Sequence, residues 1–144
     1  MRFEKQAQAV KILERVIRQL VLEAKKESPV EACGYLAAKN GVITYAYALT
    51  NIDASSEHFS FDPKEQFAAL RNIRLRGLEI CAAYHSHPAS PAWPSLEDIK
   101  LAHDPGMLYV IISLVENKED VRAFKIINQK AQAVSLEVVV DENI

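Results

Sequence analysis

Residues 84 to 98 read Tyr-His-Ser-His-Pro-Ala-Ser-Pro-Ala-Trp-Pro-Ser-Leu-Glu-Asp. His85 and His87 sit one residue apart, and the apolar run Leu78-Glu79-Ile80-Cys81-Ala82-Ala83-Tyr84 precedes them. That run predicts a buried strand, and residues two apart in a strand point to the same side. The two imidazoles are therefore expected to project together from the strand's end. A loop with Pro88, Pro91 and Pro94 follows, and Ser95 closes it. Asp98 then falls in the first turn of the helix that Ser95 opens, where its carboxylate can turn back toward the histidines. Two imidazoles and a carboxylate make a three-ligand set for zinc, with one position left for water.

Each of these residues also has a plainer reading. A single strand histidine is more often a hydrogen-bonded structural residue, although two at same-face spacing after a buried strand fit that description less well. Ser95-x-x-Asp98 is close to a capping box, in which the third position prefers Glu or Gln. Capping alone accounts for both residues. The two roles are compatible, since a carboxylate has two oxygens and a capped helix holds its side chain in one rotamer. Glu31 stands beside Ala32-Cys33-Gly34, where the chain passes from a loop into an apolar run. It is either a solvated glutamate at a strand start or a carboxylate facing the site as general base of a hydrolase.

Several other chemistries lack their residues. There is no His-Glu-x-x-His and no Pro-Cys-x-x-Cys, so the zincin and nucleobase-deaminase ligand sets are missing. Cys33 lies in an apolar run and reads as core rather than nucleophile. His58 and His103 read as surface or cap residues. Pro91 and Trp93 are either loop core or a substrate-facing lip.

The elements that must position this stretch follow from local pattern. Val10-Lys11-Ile12-Leu13 is a short strand. Glu14 to Lys26 has helical periodicity, with Val16, Ile17, Leu20, Val21 and Ala24 on one stripe. That helix has an alternative start as early as Gln6, and Ser28-Pro29 ends it. A strand running to Lys39, the Asn40-Gly41 turn and a strand over Val42 to Leu49 make a hairpin. After a polar connection, His58-Phe59-Ser60-Phe61 alternates like a short strand. Asp62-Pro63 opens a helix to about Arg76, with Phe67, Leu70, Ile73 and Leu75 on its buried side and Gly77 as its stop. A helix from Ser95 to about His103 and a turn at Asp104-Pro105-Gly106 precede a doubly buried strand over Leu108 to Leu114. Strands at Val121 to Ile127 and Val134 to Val140 complete the chain. The order predicts one α/β domain over residues 1 to 144, a mixed sheet flanked by helices.

The bulk properties narrow the partners. The 144 residues are the size of one domain, 49% hydrophobic and 25% charged, with a formal net charge of -2. Nothing in that balance points to nucleic acid or an anionic membrane. No apolar run approaches a membrane span, and Met1-Arg2-Phe3-Glu4-Lys5-Gln6 lacks the apolar core of a signal peptide. Cys33 and Cys81 are too few for a disulfide framework, so a reducing cytoplasm is the expected compartment. Whether the two pair stays open, as does the oligomeric state.

Taken together, Glu31, His85-Ser86-His87-Pro88, and Ser95 with Asp98, seven residues separating His87 from Ser95, resemble the JAMM motif of MPN-domain (JAB1/MPN/Mov34) metalloproteases. Residues 29 to 36, Asn51, the Phe59 to Pro63 stretch and Ala83-Tyr84-His85 resemble further parts of that family. The resemblance implies a cytidine-deaminase-like α/β fold. It implies zinc held by His85, His87 and Asp98, Glu31 as general acid/base, and Ser95 as donor to a tetrahedral intermediate. It also implies hydrolysis of a peptide or isopeptide bond at the tail of a ubiquitin-like or sulfur-carrier protein. The chain is short and looks like the small stand-alone prokaryotic members. The competing reading is a noncatalytic binding module of the same fold with a structural metal.

Overall fold

A computed structural model describes residues 9–141. In chain order the elements are β1 (Val10–Leu13), α1 (Glu14–Glu27), β2 (Cys33–Lys39), β3 (Val42–Leu49), α2 (Pro63–Leu75), β4 (Glu79–His87), α3 (Leu96–Leu101), β5 (Leu108–Ser113), β6 (Asp120–Ile127), β7 (Lys130–Val134) and β8 (Leu136–Val139). All eight strands form one mixed sheet in the order β7-β6-β5-β4-β2-β3-β1-β8. β4 runs antiparallel to β2 and parallel to β5, so it sits in the sheet's interior. The sheet is curled: its two outermost strands, β7 and β8, are separated in sequence by Ser135 alone. The Ser135 carbonyl accepts from the Val10 N–H at 2.8 Å, continuing the β1–β8 pairing to the residue that joins β7 and β8.

The concave face wraps α1. Val16, Leu20, Val21 and Ala24 pack against residues from every strand, among them Leu36, Ile43, Tyr84, Val110 and Ile112. The exposed side of α1 carries its ions, with Arg18 bonded to Glu14 and Lys25 to Glu119. The convex face is covered in two places. Ala69 and Ile73 of α2 lie on Tyr35 and Ala37, while Ala92 of the proline loop lies on Ile111 and Phe124. Between these two covers the outer face is left for His85 and His87, because Tyr84 and Ser86 point inward by strand alternation.

Local signals set most boundaries. Asn40 and Gly41 take positive φ of 52° and 79°, as a two-residue hairpin turn demands. Asp62 accepts from the Lys64 N–H and Pro63 is the first helical residue of α2. Gly77 stops α2's exit at φ 68°.

The first helix starts at Glu14, directly after the strand over residues 10 to 13, as expected; Gln6, its alternative start, lies outside the described residues. Four expectations are corrected. In α2 only Ala69 and Ile73 are buried, whereas Phe67 is 69% and Leu75 70% exposed and Leu70 lies at the edge. Tyr35, Tyr45 and Tyr47 fill the space on the sheet, so the helix meets them through its small residue. His58 to Phe61 is no strand: Phe61 makes one bridge to Asn51, whose side chain occupies the neighbouring backbone groups. α3 ends at Leu101, two residues early, ahead of Asp104-Pro105. The last strand breaks at Ser135 into β7 and β8, which pair with opposite edges of the sheet. Cys33 and Cys81 are both free and bond to the carbonyls of Leu49 and Leu36.

Two predictions follow from the contacts under β4. A Cβ on Gly34 would lie 2.1 Å from the Tyr47 carbonyl oxygen and 2.6 Å from the Tyr84 hydroxyl. Gly34→Ala is expected to cost about 3 kcal/mol, the upper end of overpacking, because one obstacle is backbone; a urea midpoint unchanged from wild type would refute this. Tyr84 in turn donates to the Glu23 carboxylate across the core. Burial pushes Glu23 up to about 7 from 4.5, against the Tyr84 bond, which pulls it down. A raised acid favours the fold fully below pH 4.5 and loses that contribution as pH rises through about 7. Between those limits Glu23→Gln should gain on wild type by up to about 3 kcal/mol, less the share that solvent screens. Urea midpoints of both proteins across that range, compared as a difference, remove the titration of every other group.

Candidate active site

β4 delivers its two imidazoles as strand alternation requires. His85 and His87 are 3% and 4% exposed, and their Nε2 atoms lie 3.1 Å apart. Asp98 Oδ2 is 3.0 Å from the first and 3.2 Å from the second. The three donors thus form a near-equilateral triangle. Four ligands around a zinc ion at its usual bond lengths would stand roughly 3.3 Å apart, so three corners of such a tetrahedron are already in place. His87 Nδ1 lies 2.8 Å from the Pro91 carbonyl, which fixes the ring proton there and leaves the Nε2 lone pair facing the triangle. The ring of His85 stacks on Phe59, with centroids 4.8 Å apart and planes at 28°. These three residues could hold a metal ion.

Asp98 also caps α3. The Ser95 N–H donates to Asp98 Oδ2 at 2.9 Å, and the Asp98 N–H donates to Ser95 Oγ at 3.0 Å. Both readings of this pair hold at once, through the same carboxylate oxygen rather than one oxygen each. Burial by itself would raise the Asp98 carboxyl. The bonds from His85, His87 and the Ser95 N–H outweigh it and hold the group well below the usual carboxylate range. Burial likewise opposes protonation of His87, but Asp98 and the Pro91 carbonyl raise it on balance.

Glu31 arrives from the loop before β2. It is 3% exposed, so the solvated-glutamate reading fails. Two hydrogen bonds set its position along β4: Ser86 N–H donates to the Ala32 carbonyl at 2.9 Å, and the Ala32 N–H donates to Ser86 Oγ at 2.7 Å. They place Glu31 beside His87, whose imidazole is the strongest charge acting on it. Burial pushes the carboxyl up to about 8, against the pull of His87. Among the described residues Glu31 Oε1 is buried without a hydrogen-bond partner. Such an atom costs about 1–3 kcal/mol when nothing meets it, and sites of chemistry are where proteins tolerate it.

The match to the model of the family described as prokaryotic homologs of the JAB domain spans residues 13–127. The chain belongs to the prokaryotic JAB family. It is 30% identical over 116 residues to the CysO-cysteine peptidase of Mycobacterium tuberculosis, which covers 78% of this chain and 80% of that one. It is 29% identical over 122 residues to the desampylase of Pyrococcus furiosus, covering 84% of each. A Desulfitobacterium hafniense protein of known solution structure superposes with a TM-score of 0.83 at 33% identity, covering 92% of this chain and 94% of that one. Like the relatives of named activity, the chain is an enzyme of the peptidase and isopeptidase class. Its curled mixed sheet with few helices is the JAB/MPN architecture.

Within this JAB domain the other sequence candidates separate clearly. His58 is exposed and bonded to Asp53, and His103 is exposed. Trp93 is half-exposed and rests edge-on against Phe124, so it belongs to the cover of the convex face. Burial pushes the Cys33 thiol up to about 12, far from nucleophile range. No helix among the described residues is long and apolar enough to cross a membrane.

One residue was not legible as part of the site from its type and spacing. Asn51 is 9% exposed and binds five backbone groups. Its amide donates to the carbonyls of Glu31, Ser55 and His58, and its Oδ1 accepts from the N–H of Asp53 and Ser60. The Ser55 carbonyl in turn accepts from the Glu31 N–H at 2.9 Å. Loop 51–61 therefore holds Glu31 by both backbone groups. Asn51→Ala leaves several buried polar groups unmet, a loss of about 2–4 kcal/mol by the cost of each such group. Hydrogen exchange should show residues 31–32 and 52–60 opening together; protection there equal to wild type would dissolve the link.

Proposed function

We propose that this JAB-family enzyme is a zinc-dependent peptidase that cleaves a peptide or isopeptide bond at the C-terminal tail of a ubiquitin-like or sulfur-carrier protein. The observation that carries the reading is the triangle of His85, His87 and Asp98 donors with a buried, unpartnered Glu31 oxygen beside it. The relatives' names, CysO-cysteine peptidase and desampylase, support the substrate class. Among divalent ions, zinc is matched by two imidazole nitrogens and one carboxylate oxygen with an open fourth position.

In this reading His85, His87 and Asp98 would hold the ion, which would supply Lewis-acid polarisation of the scissile carbonyl and acidify water near neutral pH. Glu31 takes a proton from the attacking water and delivers it to the leaving amine. Ser95 Oγ already accepts the Asp98 N–H, so its own proton is free to donate to the developing oxyanion. The Pro91 carbonyl fixes the His87 tautomer, and Phe59 fixes the plane of the His85 ring.

The reading makes a divided prediction. Glu31→Gln should keep about one zinc per chain by metal analysis while kcat falls by about 10²–10⁴-fold, the usual share of a general base. Ser95→Ala should lose about 10²–10³-fold in kcat. Asp98→Ala should lose the metal and the activity together. Cleavage of a carrier fusion at the wild-type rate by Glu31→Gln, or undiminished by a chelator, would remove the assignment.

A further inference from the structure

A cavity of about 280 Å³ opens directly beside the donor triangle. His85 and Asp98 line it on the side of the triangle, and Phe59, Phe61, Tyr109 and Leu101 supply most of its apolar surface. Its lining is mainly apolar. The volume falls just below the range of about 300–1,000 Å³ that takes a drug-sized molecule, and it suits a single side chain. Phe59 and Phe61 belong to an aromatic stack that continues to Tyr35, so that wall is rigid. Leu101 is different: it is 59% exposed on a short helix and packs in none of the hydrophobic clusters. Phe59 holds the His85 ring, whereas Phe61, Tyr109 and Leu101 have no part in the hydrolytic chemistry.

The geometry points to this cavity as a specificity subsite for one apolar side chain of the substrate tail, on the acyl side of the scissile bond. The assignment rests on the peptidase reading above and adds the substrate's sequence to it. The side follows from two flanks of the triangle. Glu31 lies on the His87 flank, fixed there by the Ala32–Ser86 hydrogen bonds. The cavity lies on the other, against His85 and Asp98, and touches neither His87 nor Glu31. Glu31 passes its proton to the leaving amine, so the amine product occupies the Glu31 flank. The acyl part then runs past His85. The occupant is therefore a residue of the carrier tail on the acyl side, in an extended chain whose alternate residues face one way. Exposed Glu97 completes the rim, and its carboxylate disfavours an acidic residue at that position.

The test uses carrier tails that differ only at one of the few residues before the scissile bond, carrying leucine, alanine or aspartate in turn. At one position kcat/KM should rank leucine above alanine by about 10-fold or more, the scale of added methylenes in an apolar pocket, with aspartate lowest. Leu101→Asp should reduce the leucine advantage to about 3-fold or less. Glu31→Gln, whose turnover is slowed about 10²–10⁴-fold, should show the same ranking in Kd for the tail peptides. Equal kcat/KM for the three residues at every position, or selectivity found only after the scissile bond, overturns the subsite and leaves the peptidase reading standing. Failure of the zinc-loaded protein to cleave any tail overturns the peptidase reading; the Kd ranking on Glu31→Gln then decides the cavity separately, and equal Kd values overturn it.

Discussion

The site depends on how the fold satisfies Ser86. Strand alternation that turns His85 and His87 outward must turn the residue between them inward, and Ser86 is fully buried. A buried hydroxyl without a partner is costly, so the core needs a donor or acceptor beside it. Ala32 meets that need twice, with its N–H on Ser86 Oγ and its carbonyl on the Ser86 N–H. These bonds extend the β2–β4 pairing past Cys33, where the register sets Cys33 opposite His85. The next residue outward is Glu31. A single polar side chain in the core thereby fixes a carboxylate from one segment beside an imidazole from another.

The rest of the architecture keeps that arrangement on one face. The curled sheet closes its concave side around α1, and all the large fully buried apolar contacts of the helix are made there. Tyr84 is the polar exception, and Gly34 has no side chain because Tyr84 and the Tyr47 carbonyl fill its space. With the core inside the curl, the convex face needs only local covers. α2 and the proline loop supply them and leave the end of β4 open between. The triangle of donors is then preorganised by groups that serve the fold anyway: a helix cap for Asp98, a loop carbonyl for His87, an aromatic ring for His85.

The features legible in the sequence are those written in adjacent residues. The Asn40-Gly41 turn, the Asp62-Pro63 start and the Ser95–Asp98 cap each encode their geometry within four residues, and the apolar run into His85 within seven. Glu31 was legible as a candidate but not as buried, because its burial depends on a strand 54 residues away in sequence through the Ala32–Ser86 bond. The periodicity of α2 misled because the helix carries more apolar residues than the sheet beneath it has room to take. The break at Ser135 was hidden because Val134 to Val140 reads as one β-rich run. Only the closure of the sheet sends its halves to opposite edges.

Loop 51–61 shows why polar segments of this kind resist local reading. It makes no strand and buries little, yet it touches the site at two points. At one end Asn51 and the Ser55 carbonyl hold the backbone of Glu31. At the other, Phe59 lies flat on His85 and Phe61 bridges back to Asn51. The proton-transfer group and the ring facing the donor triangle are therefore braced by one piece of chain. A displacement of the loop cannot shift the glutamate without also loosening the ring, so the distance between base and donors is held by a short closed circuit rather than by the whole sheet. The residues of that circuit were unreadable one at a time because asparagine, serine and phenylalanine carry no signature of such work. Their meaning lies in the closure, which exists only once β2 and β4 are paired.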